Sequence, residues 1–303
     1  MANHSTVITD TAQLVDWVAA GAKPKADWRI GTEHEKILFH RADFRPVTYD
    51  GADGVGALLG SLFSQIGEKA QPIMEKGQII GLKDGDGGSV TLEPGGQLEL
   101  SGAPLVNLHQ TCAETGRHLK HMRAVTTALG LGMLGVGYQP KWARHDIPWM
   151  PKGRYKIMRD HMPKVGRFGL DMMLRSCTVQ VNLDYSDEHD MRRKFRTSLA
   201  LQPVATALFA NSPFRDGKPS GLLSTRAEAW TDTDNARCGV PACVFDAGFG
   251  YQQWIDYILD VPMYFLHRGK DYIDVAGQSF RDYLASRLAG FDGMLPNMAD
   301  FED

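Results

Sequence analysis

Three hundred and three residues, 43% hydrophobic and 9% aromatic, give ample material for a buried core and exclude a disordered chain or a disulfide miniprotein. A globule of this size buries about 75% of the surface its unfolded chain exposes, so length alone admits one large domain or two packed lobes. With 33 basic and 36 acidic residues the net charge is −3, and no long block of like charge occurs, which disfavours a nucleic-acid or anionic-membrane surface.

The first ten residues lack the basic and apolar regions of a secretory signal, so export is not supported. The charge-free windows 124–140 and 197–214 are broken by glycines and prolines, and neither reads as a transmembrane span. Four cysteines, Cys112, Cys177, Cys238 and Cys243, form neither a disulfide framework nor a two-knuckle zinc site, and a reducing cytoplasm is the expected setting. Cys238 and Cys243 read as ordinary thiols, with a metal or redox pair as the alternative.

Residues 10–20 carry Leu14, Val15, Trp17 and Val18 on one stripe between Asp10 and Gly21, which predicts an amphipathic helix. Residues 28–39 read as a strand, and 78–83 with 89–93 as a hairpin around Asp84-Gly85-Asp86-Gly87-Gly88. A long helix is expected from Pro104 to Leu129, with Pro104 in its first turn, followed by strands over 131–138 and 178–184. Another helix, broken in register at Pro203, is expected over 187–210, and two more over 251–260 and 278–289. Strands mixed with long helices and hairpins favour an α+β fold over a doubly wound one.

Alternation across a strand puts Glu33 and Glu35 on one face and His34 and Lys36 on the other. The same rule groups Gln180, Asn182 and Asp184 opposite Val179, Val181 and Leu183. In Leu92–Leu100 the Pro94-Gly95-Gly96 break implies a bulge or bend that re-aims a carboxylate between Glu93 and Glu99. A face collecting four glutamates repels itself unless protons or cations intervene, and oxygen-only ligation suits magnesium or manganese. The alternative is a solvated outer sheet face whose acids pair with lysines and arginines.

Met150–Tyr155 and Met162–Arg167 read as Pro- and Gly-punctuated loops that present Lys152, Arg154, Lys164 and Arg167 either to an anion or simply to solvent. Asn211-Ser212-Pro213-Phe214 breaks a helix. The acidic string Asp232-Thr233-Asp234-Asn235 lacks the glycine and closing glutamate of a calcium loop. No H-E-x-x-H, G-x-G-x-x-G or P-loop pattern occurs, and His34, His118 and His121 read as core or surface histidines.

Six stretches together carry a family pattern: GTEHEK (31–36), SVTLEPGGQLELSGAP (89–104), YQPKWARHDIPWMPKGRYKIM (138–158), GLDMMLRSCTVQVNLDYSDEHDM (169–191), ALQPVATALFANSPF (200–214) and LDVPMYF (259–265). Over essentially the whole chain they resemble glutamate–cysteine ligase of the plant and proteobacterial type. The resemblance implies a glutamine-synthetase-like α+β fold in which a curved, mainly antiparallel sheet binds Mg2+, ATP and glutamate on one polar face. It implies phosphorylation of the glutamate γ-carboxylate and attack by the cysteine amine to give γ-glutamylcysteine, the first step of glutathione synthesis.

Carried over by position, Glu33, Glu35, Glu93 and Glu99 resemble the magnesium carboxylates, and Arg154 and Arg226 resemble the catalytic grips on the carboxylates of glutamate. Lys152, Arg167, Gln180 and Asn182 follow as nucleotide or substrate contacts. Plant members place the first cysteine of a regulatory disulfide at the position of Val275, so no such thiol switch is expected. Residues 1–303 are expected to form a single catalytic domain without the family's C-terminal portion, whose first motif, rich in Arg and Glu, completes the active site. Two alternatives remain open at this point: a γ-glutamyl ligase for a different amine, and a noncatalytic fragment that binds nucleotide or glutamate. Oligomeric state is not legible, since no coiled-coil heptads occur.

Overall fold

The computed structural model describes residues 6–269, 271–291 and 293–302; half of the ten-residue stretch considered for an export signal, residues 1–5, lies outside them. Its organising element is β1 (Ile30–His40), an eleven-residue strand that serves three neighbours in turn. The chain reaches it through α1 (Thr11–Ala20), whose N-cap Asp10 accepts from the Ala12 amide at 2.9 Å while Gln13 reaches back to the Asp10 amide at 3.0 Å.

After β1 come α2 (Val55–Ile66), β2 (Gln71–Glu75), β3 (Gln78–Lys83), β4 (Ser89–Leu92) and β5 (Leu98–Ser101). Next are α3 (Leu108–Ala128), β6 (Leu131–Leu134), α4 (Arg154–Val165), α5 (Gly169–Arg175), β7 (Val179–Leu183) and α6 (Glu188–Leu208). A two-residue hairpin of β8 (Phe214–Arg215) and β9 (Lys218–Pro219) leads to α7 (Thr225–Trp230) and α8 (Tyr251–Asp260). The chain finishes with β10 (Phe265–Arg268), β11 (Asp271–Asp274), α9 (Phe280–Leu284) and α10 (Met298–Glu302).

Seven strands make one antiparallel sheet in the order β2-β3-β4-β5-β1-β6, with β7 added on β1, and the α+β expectation holds. The amino-terminal half of β1 lies between β5 and β7, and its last four residues pair with β6. One face is apolar: Leu82, Val90, Leu92, Leu98 and Leu100 are buried against Leu58, Leu59 and Leu62 of α2 and Met122 and Val125 of α3. A second cluster, built on Leu14, Ile255, Leu259, Leu266 and Tyr283, joins α1, α8, β10 and α9. No helix among the described residues is long and apolar enough to cross a membrane.

Several boundaries differ from the sequence reading, each for a local reason. The long helix begins at Leu108 rather than Pro104, because Leu105 bridges Ile30 through two backbone hydrogen bonds of 2.7 and 2.9 Å and holds its neighbours extended. Asn107 supplies the cap, accepting from His109 and Gln110 at 3.1 Å. The stretch Leu92–Leu100 is not one bent strand but a full reversal: β4 and β5 pair through Leu92 and Leu98. The expected helix over 278–289 stops at Leu284, two residues before Ser286 at φ 56°. The two cationic loops run into the two ends of one helix, since α4 starts on Arg154 and runs to Val165 through Pro163.

Leu98 is fully buried at the centre of the sheet core. Leu98→Ala is expected to cost about 3 kcal/mol, read as a lowered urea midpoint with an unchanged slope.

Candidate active site

Register alone brings three carboxylates together. Glu35 of β1 sits directly opposite Glu99 of β5, so both side chains leave the same face of the sheet. Glu93 arrives from the reversal between β4 and β5, closed by the Glu93 amide donating to the Gln97 carbonyl and the Gly96 amide to the Glu93 carbonyl, both at 2.9 Å. Gly96 takes φ 80°, and a Cβ on Gly95 would lie 2.3 Å from the Leu174 carbonyl, so Pro-Gly-Gly is required by both turn and contact. Gln97 pins this turn to the end of α5 by donating to the Ser176 and Met173 carbonyls at 2.7 and 3.2 Å.

Burial and mutual repulsion set the charge state. Glu35 is pushed from the ordinary 4.5 up to about 8, by desolvation first and then by Glu93 and Glu99, although the Thr178 amide at 2.9 Å and Arg226 oppose the shift. Glu93 is pushed up to about 7, mainly by burial, with Glu99 adding and Lys152 and Arg154 opposing. Glu33, two residues along β1 on the same face, stands apart: its Oε1 accepts from both Gln180 and Asn182 at 2.9 Å.

Cations enter from two helices. Lys152 donates to the Leu92 carbonyl at 2.6 Å and Tyr155 to the same oxygen at 2.5 Å, which ties the start of α4 to the residue before Glu93. Burial brings the Lys152 ammonium down to about 8, helped by Arg154 and opposed by Glu93 and Glu99. Arg226 lies in the first turn of α7, whose N-cap Ser224 accepts from the Ala227 amide at 3.2 Å. The Asn211-Ser212 break anchors that helix: Asn211 accepts from the Gly137 amide at 2.8 Å, and the Ser212 backbone pairs with Leu223 and Thr225. Burial lowers the Arg226 guanidinium, with Glu35 opposing, and its Nε is buried without a hydrogen-bond partner.

These groups face a cavity of about 670 Å³ between the two core clusters. Glu35, Glu93, Arg154, Gln180 and Arg226 line it, whereas Glu99 and Lys152 stand behind Glu93. Asn182 is not in the lining and reaches it through its hydrogen bonds to Glu33 at 2.9 Å and from Gln180 at 3.4 Å. Arg167 is not brought there: it pairs with Asp232 on the surface, with 78% of its side chain exposed.

Sequence reasoning missed Gln97, Trp230 and Arg237, which also line the cavity. Arg237 closes the acidic string set aside as a calcium loop, and it stacks 4.3 Å from the Tyr264 ring while Tyr264 donates to Asp234 at 2.7 Å. The structure makes that string a positioning device, since both of its acids are spent on protein partners. His34 faces α3, 3.5 Å from the Thr115 hydroxyl and away from the carboxylates.

Among the described residues no three or more His, Cys, Asp or Glu side chains form a ready metal cage. The donor chemistry nonetheless fits a hard divalent ion: Glu35 and Glu93 are oxygen donors whose pKa values are raised by burial first and by neighbouring carboxylates after it.

Glutamate-cysteine ligase family 2 matches residues 29–289 of the chain. The chain belongs to that family. It is 56% identical over 290 residues to glutamate–cysteine ligase A, chloroplastic, of Oryza sativa subsp. japonica, covering 96% of this chain and 58% of that protein. It is likewise 56% identical to the chloroplastic glutamate–cysteine ligases of Medicago truncatula and Arabidopsis thaliana, spanning 96% of its own length and 56% and 54% of theirs. These names overturn the cytoplasmic expectation and point to a plastid. The expectation rested on the pattern of four cysteines, which does not distinguish one compartment from another.

The raised carboxyls fix a pH dependence for this family member. Glu35 keeps its proton when folded at pH values where an unfolded glutamate has lost it, so the folded state binds more protons between about 4.5 and about 8. Stability therefore falls as pH rises through that window. Glu35→Gln is expected to raise the thermal midpoint at pH 8 and to change it little near pH 5, checked by scanning calorimetry at both.

Proposed function

We propose that the chain catalyses ATP- and Mg2+-dependent joining of the glutamate γ-carboxylate to the cysteine amine. The observation that carries this reading is the convergence of Glu35 and Glu93, with Glu99 behind them, on a cavity whose walls supply Arg154 and Arg226. Membership of the ligase family and the names of its plant relatives support the same chemistry.

In this reading the γ-carboxylate oxygen of glutamate attacks the terminal phosphorus of ATP and ADP leaves. The cysteine amine then attacks the acyl carbon, phosphate departs, and the amine gives up a proton. Arg154 and Arg226 hold the carboxylates of glutamate, and the fork of a guanidinium suits that grip. The Nε of Arg226 is a desolvated donor without a hydrogen-bond partner, in a side chain that lines the cavity. Burial places Arg226 and Lys152 in low dielectric, where their charge acts strongly on oxygens that become negative during transfer. Glu35, Glu93 and Glu99 would hold Mg2+, which when bound supplies charge neutralisation for the polyphosphate. Glu35 and Glu93 then give up their protons, so metal binding weakens as pH falls below about 7.

Product analysis tests the reading directly. With Mg2+, ATP, glutamate and cysteine, the chain is expected to release ADP and form γ-glutamylcysteine, and the absence of both refutes it. Arg226→Ala is expected to raise the glutamate KM at least tenfold with the ATP KM little changed, since one charge-assisted carboxylate grip is worth about 1.5–3 kcal/mol. Glu99→Gln is expected to raise the Mg2+ requirement and abolish turnover, and wild-type rates at low Mg2+ sink that assignment.

A further inference from the structure

One polar side chain in the cavity wall is neither charged nor exposed. Gln97 follows the Pro94-Gly95-Gly96 turn, directly precedes β5 and is only 3% exposed. A carboxamide carries two N–H donors and a carbonyl acceptor, and once buried it needs partners for them. Gln97 finds these on two different elements. Its Oε1 accepts from the Gly95 amide at 2.9 Å, inside the turn that carries Glu93. Its Nε2 donates to the Ser176 and Met173 carbonyls at 2.7 and 3.2 Å, at the end of α5. Both donors are spent on backbone, which leaves neither for a molecule in the cavity.

The segment gripped at the far side is the one that orients Glu35. Two residues after Ser176, the Thr178 amide donates to Glu35 Oε2 at 2.9 Å, and the Thr178 carbonyl accepts from the Glu35 amide at 3.0 Å. Between them the Cys177 amide donates to the Gly137 carbonyl at 3.1 Å, and the Gly137 amide donates to Asn211, which anchors the helix of Arg226. Arg175 keeps this segment from sliding, with its side chain 4% exposed and paired to Asp171 and Asp216 at 3.0 and 2.6 Å. Strand pairing sets Glu35 against Glu99, but Glu93 lies in the turn beyond the β4–β5 ladder. The carboxamide of Gln97 joins that turn to residues 176–178, and through them to Glu35.

We infer that Gln97 is a positioning residue for the divalent ion: it braces the Glu93 turn against the Ser176–Thr178 segment and so sets the spacing of the Glu35 and Glu93 carboxylates, without touching metal or substrate. This rests on the ligase reading, which gives Mg2+ to those carboxylates, and adds the residue that holds them in place. Mg2+ demands near-octahedral oxygens at ~2.1 Å, so a carboxylate that drifts is a poor ligand. Residues that orient metal ligands from behind are typically worth ~10–100-fold in metal affinity. Two other roles compete: Gln97 as a contact to glutamate, and Gln97 as a filler whose hydrogen bonds only stabilise the fold.

Titration calorimetry of the full chain with Mg2+ and, separately, with glutamate distinguishes the three. Gln97→Met keeps the length of the side chain and removes its hydrogen bonds. It is expected to raise the Mg2+ Kd about tenfold and to leave the glutamate Kd unchanged. Gln97→Asn keeps a carboxamide one methylene too short to reach both elements, and it carries the same expectation where Gln97→Met does not fold. Leu98→Ala is the control for stability, because Leu98 faces the core on the opposite side of the sheet. It is expected to lower the thermal midpoint with a wild-type Mg2+ Kd. A folded Gln97 variant with a wild-type Mg2+ Kd overturns the brace and leaves the ligase reading intact. A raised glutamate Kd overturns it in favour of substrate contact, and an equal loss of Mg2+ binding in Leu98→Ala overturns it in favour of stability alone. A wild-type chain that binds glutamate but no Mg2+ removes both the brace and the ligase reading.

Discussion

The site depends on an enforced repulsion. A β-sheet register places Glu35 against Glu99, and a turn that only Pro-Gly-Gly can make at this contact returns Glu93 beside them. Neither placement can relax without breaking backbone hydrogen bonds, so the acids respond by holding protons instead of moving apart. The pKa values of Glu35 and Glu93 are raised by burial first, and the neighbouring carboxylates add to that shift. Such a cluster is poised for whatever positive charge can replace the protons, and this is what a divalent ion or a transferred phosphoryl group's counter-charges offer.

The surrounding architecture supplies cations from elements distant in sequence but fixed to the same few atoms. The Leu92 carbonyl takes two hydrogen bonds, from Lys152 and Tyr155, and so locks the start of α4 to the turn carrying Glu93. Arg226 is delivered from the opposite wall by a short helix whose position is set by Asn211 and Ser212, residues whose interest in the sequence was only that they end a helix. The cavity lies between two apolar clusters, one beneath the sheet and one around α8, and their packing keeps its walls from collapsing onto the carboxylates.

Much of this was legible in the sequence because strand alternation is a strong local rule. It placed Glu33 with Glu35, His34 on the opposite face, and Gln180 with Asn182 before any coordinates. What it could not supply was register between strands far apart in the chain, and register decides that Glu35, not Glu33, meets Glu99. The reversal at Pro94-Gly95-Gly96 was read as a bend, because a glycine turn looks alike in one strand and between two. The helix beginning at Arg154 was hidden by flanking Pro151 and Gly153 and by Pro163 inside it. Arg167 shows the converse error: an arginine expected at the site pairs with Asp232 on the surface, and geometry keeps it outside the cavity.

Glu33 and its partners show how unequal the four glutamates are. β7 is bonded to β1 alone, and its outward row of Val179, Val181 and Leu183 is 61%, 55% and 61% exposed. Little packing therefore holds the strand, and the polar row depends on the backbone ladder together with the two amides that Glu33 gathers on one oxygen. A glutamate committed to two amide donors is satisfied without a metal, whereas Glu35 and Glu93 are not. The division of labour follows from burial and hydrogen bonding: Glu35 and Glu93 are desolvated carboxyls facing the cavity, and Glu33 positions the strand beside them.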